Sequence, residues 1–412
     1  QPVWADVQIP RDAPPGRYTA RLTVNAGGAR VAEALVQLTV WDFELPESWK
    51  LNAVMDLYLT NLTQGEGLPG GSGFTEEKSA FLKRYDQMAF AHGFYNMYWW
   101  PRPEYSFDAQ GSLAKIDWTD YDKYFGDILS GKLLGVVPPC WKMPLPEFPN
   151  FTKKSWKDEV TDASLTSYRE YSQEMAEHFE KNGWKIPLLY VYTIDEPGNL
   201  YKGSAESILR IADAVRQGSK DRFKFFIPHG ETVGVGHVNF WAIYPSDYKP
   251  AKMAARQKAG DVIWFYQGCH EWQGLPVVYI PDYALAMRLW AWIAWKYDAD
   301  GMFHWASTYW GSEPYTENAA ADDPRWGPGN GKFFYPGRLL AQIGLPAIKG
   351  PVSCIRMKMW RRGMQDYQFF WLLKDKGQKA AADAVVNRLV KKALAEGENE
   401  QMKEGGWPAW DG

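Results

Sequence analysis

The sequence predicts a parallel (β/α)8 barrel of the TIM type, preceded by the end of a β-sandwich. Three observations carry that expectation. Eight apolar, aromatic-rich runs alternate with stretches of helical period between Leu51 and Ser307, which is the signature of an α/β fold. Those runs span 257 residues, close to the ~250 typical of such a barrel. No GxGxxG or Walker-type loop follows any of them, so an open dinucleotide-binding sheet has no support.

Residues 1–45 read as the C-terminal part of the sandwich. VWADVQIP and RYTARLTVNAG are separated by the turn RDAPPG, and ALVQLTVWDF alternates after them. Three strands bury little by themselves, so either further strands precede them or the piece packs on its neighbour. ELPESW (44–49) links it to the barrel, 46–375. Barrel strands are expected at 51–59, 95–100, 133–138, 187–195, 224–229, 238–243, 261–267 and 301–307. Helices are expected at 75–92, 118–131, 164–183, 204–218, 249–258 and 283–297. Thr75-Glu76-Glu77 opens the first as a capped N-terminus and Gly93 suits its end. The Gly/Pro/Trp-rich stretch 308–350 is too long for an idle connection and is expected over the barrel mouth. Residues 355–375 form an amphipathic eighth helix. Residues 376–412 supply a further helix over 378–395 and an irregular tail. The chain opens at Gln1 without Met or signal peptide, as a trimmed or mature polypeptide would.

Composition narrows the function. Lys plus Arg (46) nearly balance Asp plus Glu (49), for a formal charge of −3, which disfavours a nucleic-acid or anionic-membrane surface. No run approaches ~18 apolar residues, so no transmembrane helix is expected. Cys140, Cys269 and Cys354 make no CxxC pair and no disulfide framework. The six histidines form no HExxH or other metal-ligand cluster, so neither metal nor cofactor is expected. The unusual figure is 22 Trp, 23 Tyr and 20 Phe. Flat apolar faces with polar edges suit sugar rings, although an aromatic core needs the same residues.

Reactive groups in a (β/α)8 barrel project from the C-terminal strand ends. Those ends carry Asp56 and Tyr58; Tyr98, Trp99 and Trp100; Asp195 and Glu196; His229; Tyr244; Tyr266; and His304, Trp305 and Trp310. The fourth strand stands out, because PLLYVYT is apolar and then delivers two adjacent carboxylates before Pro197. Carboxylates there are costly to bury without partners. They either cap the next helix and pair with surface arginines, or they do chemistry. Arg288 and Trp290 on a helix read as structural, and Arg356, Arg361 and Arg362 with Asp366 as a solvated or ion-paired face.

YTIDEP, WFYQGC (264–269), RLWAWIAWKYDADGMFHWASTYW (288–310), FFYPG (333–337) and SCIRMKMWRRGMQDYQFFWLL (353–373) resemble glycoside hydrolase family 123 and its relatives. The likeness covers about residues 1–375. It implies a β-N-acetylgalactosaminidase that retains configuration, with the substrate's acetamido oxygen as nucleophile. On the resemblance, Asp195 orients the acetamido N–H and Glu196 is the general acid/base. Tyr98, Trp100, His229, Tyr244, Tyr266, Trp305 and Trp310 become candidate substrate-binding residues. Trp305 and Trp310 would wall the sugar, and Tyr266 would donate to the acetamide. The partner implied is a glycan or glycolipid outside the cytoplasm, at a secreted, periplasmic or cell-surface location.

Strand geometry agrees with that division of roles. Neighbouring strand residues point to opposite faces, so Asp195 and Glu196 cannot flank one bond like an ordinary ~5–5.5 Å retaining pair. A break at Pro197 relieves that constraint. Two rivals remain open at this point. One is a glycosidase without acetamido dependence, using Glu196 with Asp282 or Glu271. The other is a non-catalytic carbohydrate-binding protein.

Overall fold

The computed structural model describes residues 4–71, 73–145, 160–193, 195–196, 205–228, 237–245, 247–267, 278–280, 284–316 and 329–391. The chain divides into two compact units, Gln1–Glu47 and Ser48–Gly412. In the first, strands β1 (Gly16–Ala26) and β2 (Ala29–Val40) pair antiparallel, with Tyr18 opposite Leu38. Gly27 and Gly28, both at positive φ, form the two-residue hairpin loop, a conformation that glycine adopts without a Cβ clash. Two of the three expected strands are therefore present. Residues 4–10 take no regular structure, and no third strand joins β1 and β2 among the described residues.

The second unit is the barrel. Its strands are β3 (Asn52–Leu57), β4 (Tyr95–Tyr98), β7 (Cys140–Met143), β8 (Leu188–Tyr192), β9 (Phe223–Pro228), β10 (Phe240–Ile243), β11 (Val262–Gln267) and β12 (Gly301–His304). They form one parallel sheet in the order β4-β3-β12-β11-β10-β9-β8-β7. Side chains bridge the seam between β7 and β4, where Lys142 Nζ donates to Tyr98 O at 3.0 Å. A short antiparallel pair, β5 (Glu104–Phe107) and β6 (Leu113–Asp117), is inserted after β4. The predicted third strand at 133–138 is a turn. Gly131 and Gly135 both take positive φ there, and Leu133 N still bonds back to Asp127 O. The true strand, CWKM, begins two residues later.

The helices include α1 (Leu59–Glu66), α2 (Glu76–Ala91), α3 (Thr119–Leu129), α4 (Asp162–Lys181), α5 (Ala205–Ser219), α6 (Pro250–Lys258), α7 (Ala286–Lys296), α8 (Ile355–Asp375) and α9 (Lys379–Leu389). Thr75 caps α2 by accepting from Lys78 N, with Glu76 and Glu77 in the first turn, where carboxylates oppose the helix dipole. Helices α7 and α8 pack at very close range. Arg288 grips Asp366 through Nε and Nη2, at 2.5 and 2.8 Å. Arg356 departs from the expected solvated face. It is buried and donates to the carbonyls of Val278, Gly329 and Lys332. Strand β13 (Phe334–Pro336) lies within the long segment expected to be loop and pairs with β14 (Pro351–Ser353) just past its end. Two apolar layers result, a large one between sheet and helices and a smaller one filling the lumen.

Candidate active site at the mouth of the barrel

The lumen floor is apolar, built from Val54, Met97, Cys140, Tyr190, Ala242, Trp264 and Phe303, among others. Side chains alternate along a strand, so the residue two places on points the same way and one step nearer the C-terminal mouth. On seven strands that position delivers Asp56, Trp99, Lys142, Tyr192, Tyr244, Tyr266 and Trp305. The polar and aromatic lining of the mouth is thus one period-two step above the floor.

The carboxylate pair sits just past the end of β8. Tyr192 OH donates to Asp195 Oδ1 at 2.6 Å. Burial, and then the Asp195 charge, push the Tyr192 hydroxyl well above its usual pKa, so it stays a donor. Glu196 has φ +41, a left-handed conformation that costs a non-glycine residue about 1–3 kcal/mol. That turn breaks the alternation between adjacent residues. The Glu196 side chain is buried and accepts a short hydrogen bond from Tyr244 OH at Oε1. Tyr244 stacks on Tyr266, with ring centroids 4.6 Å apart. Each carboxylate is therefore fixed by its own tyrosine.

A second charged group lies beside the first. Trp99 Nε1 donates to Asp56 Oδ2. The Trp99 ring lies against Tyr192 at 4.9 Å, and Lys142 Nζ sits 3.5 Å from its centroid. Burial raises Asp56 to about 7, with Lys142 and the Trp99 N–H pulling it down and Asp195 pushing it up. Burial lowers Lys142 well below its usual value, and the Asp56 charge opposes that. Lys142 lies in CWKM (140–143), which has no strand pattern of its own. Asp56 and Trp99 are among the expected strand ends, and a step of two from the lumen residue of each strand, Val54, Met97 and Cys140, reaches Asp56, Trp99 and Lys142.

The structure gathers Asp195, Glu196, Tyr244, Tyr266 and Trp305 at the mouth. Trp305 is held by Asn330, which accepts from its Nε1 at 2.9 Å, and Tyr58 meets it edge-on at 6.3 Å. Other candidates are placed elsewhere. Tyr98 faces the helix layer, where its hydroxyl donates to Asp86 of α2 and its ring meets Phe125 and Trp141. Trp100 is exposed beyond the strand and stacks under Arg102. Trp310 turns back to α1, donating to Asn61 O at 3.1 Å while Asn61 Nδ2 donates to Trp310 O at 2.7 Å. His304 also faces outward, and burial lowers its imidazole to about 3. His229, Glu271 and Asp282 lie outside the described residues. Among the described residues no group of three His, Cys, Asp or Glu side chains is arranged to hold a metal ion, and no helix is long and apolar enough to cross a membrane.

The family model of the glycoside hydrolase 123 catalytic domain matches residues 148–373. Among solved structures, a family 123 glycoside hydrolase from Clostridium perfringens, described in terms of glycolipid glycan hydrolysis, superposes with a TM-score of 0.70 at 15% identity. The match covers 97% of this chain and 74% of that one. A β-glucuronidase from Ruminococcus gnavus matches with a TM-score of 0.39 at 10% identity, over 84% of this chain and 57% of the other. No curated protein matches the chain.

Proposed function

The chain belongs to glycoside hydrolase family 123, and from that premise we propose that this glycoside hydrolase is a retaining β-N-acetylgalactosaminidase using its substrate's acetamido group as nucleophile. The observation that supports the reading most is the Asp195-Glu196 pair, with separate tyrosine partners and a left-handed turn between strand and helix. Adjacent residues held by different groups suit two different tasks. Asp195, fixed by Tyr192, accepts the acetamido N–H and balances the positive charge that develops as the amide cyclises. The acetamido oxygen bonds to C1 as the bond from C1 to the leaving oxygen breaks. Glu196 gives its proton to that oxygen, then takes one from the water that reopens the ring at C1. Stacked Tyr244 and Tyr266 with Trp305 give the sugar an apolar wall. A glycolipid or other glycan carrying terminal N-acetylgalactosamine is the proposed substrate.

Aryl glycosides separate the two roles. Glu196→Gln should lose on the order of 10²–10⁴-fold with poor leaving groups and less with good ones, because only the former need a proton. Asp195→Asn should lose equally with every leaving group, and a thiazoline mimic of the cyclised intermediate should bind it weakly and the wild type tightly. If a 2-hydroxy glycoside is cleaved as well as its 2-acetamido counterpart and the thiazoline is ignored, the acetamido mechanism is wrong and a two-carboxylate mechanism replaces it.

A further inference from the structure

Asp56 and Lys142 have no task in the mechanism above, yet both are buried charged groups at the barrel mouth. A contact chain ties them to the reacting pair: Asp56 to the Trp99 N–H, the Trp99 ring to Tyr192, and the Tyr192 hydroxyl to Asp195. Their packing is not self-sufficient. Among the described residues Asp56 Oδ1 is buried with no hydrogen-bond partner, a state that costs about as much as a lost bond to a charged group. Lys142 Nζ donates to the Tyr98 carbonyl and otherwise sits over the Trp99 ring. Both side chains share the inward phase of their strands, two residues above Val54 and Cys140 of the floor.

The chemistry missing here is an O–H. A carboxylate oxygen accepts only, and an ammonium donates only. A sugar hydroxyl does both, so one hydroxyl or a neighbouring pair satisfies both groups together. The oxygens of a sulfate or uronate accept only; they leave Asp56 Oδ1 unmet and add charge beside Asp56, Asp195 and Glu196. We propose that Asp56 and Lys142 are hydroxyl-reading residues of this site. A ring hydroxyl of a neutral sugar donates to Asp56 Oδ1, a hydroxyl accepts from Lys142 Nζ, and the pair sets which glycone is accepted. This rests on reading the mouth as a glycosidase site, and it adds the neutral, hydroxyl-bearing character of the sugar's far edge. Trp99 acts as a positioning residue, fixing the carboxylate through Oδ2 and the ammonium through its ring.

The test is a coupling measurement. Wild type, Asp56→Ala and Lys142→Met are compared by kcat/KM on aryl glycosides lacking the 3-, 4- or 6-hydroxyl one at a time. In wild type, deleting the hydroxyl that is read should lower kcat/KM on the order of 10- to 100-fold, as loss of a hydrogen bond to a charged group does. In Asp56→Ala the same deletion should change kcat/KM less than about threefold, because its partner is already gone. A merely structural role lowers all substrates alike and leaves these ratios untouched. Equal deletion factors in wild type and both variants overturn the proposal. If Asp56→Ala does not fold, Lys142→Met carries the same cycle. The series runs on whichever parent glycoside is cleaved, so failure of acetamido dependence sinks the mechanism above without blurring this result.

Discussion

Asp86 accepts from Tyr98 behind the barrel wall, and its burial there makes it a sensor of pH for stability. Asp86 lies on α2, buried, and its Oδ1 accepts from Asn96 Nδ2 at 3.0 Å and from Tyr98 OH. Burial raises it from 3.8 to about 7, against the two hydrogen bonds that pull it down. The unfolded chain therefore releases this proton near pH 4 and the folded chain only near 7. Within that window the native state binds more protons, so stability falls as pH rises and levels off above about 7. About three pKa units at ~1.36 kcal/mol each give a total of about 4 kcal/mol, of which about 3 lie between pH 5 and pH 8. Asp86→Asn keeps an acceptor oxygen for Asn96 and Tyr98 and cannot ionise. Urea unfolding followed by tryptophan fluorescence at stepped pH gives the difference in stability between the two proteins. Asp56, also raised to about 7, titrates in both and cancels. The difference should move toward the variant by about 3 kcal/mol across that range. Parallel curves for the two proteins would refute the assignment of a buried, late-titrating carboxyl at this position.

Two further outcomes follow from single contacts. Tyr244→Phe removes the donor on Glu196 but keeps the ring stacked on Tyr266; kcat/KM should fall on the order of 10- to 100-fold with little change in melting temperature, and an unchanged rate would make the phenol a bystander. Gly363 sits in α8 where an added Cβ would lie 2.3 Å from Arg288 O of α7; Gly363→Ala should cost at least about 1–3 kcal/mol despite alanine's better helix propensity, and a raised melting temperature would show that the helices separate freely.

The alternation of strands and helices was legible, and it located seven of the eight barrel strands because each apolar run there is continuous and bounded by turns. The third failed for a physical reason. LLGVVP has the apolar content of a strand, but Gly131 and Gly135 turn it, whereas CWKM hides a buried lysine whose burial depends on partners from β3 and β4. Such partners are invisible in a window of four residues. The inward phase was the other gap. Strands of a parallel barrel are buried on both faces, lumen and helix layer, so they carry no polar-apolar alternation to show which residues point inward. Tyr98 and Trp99 are equally apolar and only one reaches the lumen. Of His304 and Trp305, likewise, only Trp305 lines the lumen.

Asp195 and Glu196 escaped this ambiguity because they lie past the strand. Burying ionised groups in an apolar run is unfavourable enough that such a pair is rare without a function, and it is this that made it visible. The lining needed a different rule, and the barrel supplies it: fixing one inward residue fixes the phase of a strand. From Val54 the step reaches Asp56, from Met97 it reaches Trp99, and from Cys140 it reaches Lys142. From Tyr190, Ala242, Trp264 and Phe303 it reaches Tyr192, Tyr244, Tyr266 and Trp305. The apolar floor is what makes that lining rigid, since rings such as Tyr190, Phe240 and Trp264 interlock at 4.7–6.2 Å beneath it. On that floor the strain at Glu196 is held by the Tyr244 hydrogen bond and the packing around it rather than by local preference. A left-handed glutamate at this position is therefore a product of the whole mouth, and it turns the two adjacent carboxylates toward separate tyrosine partners.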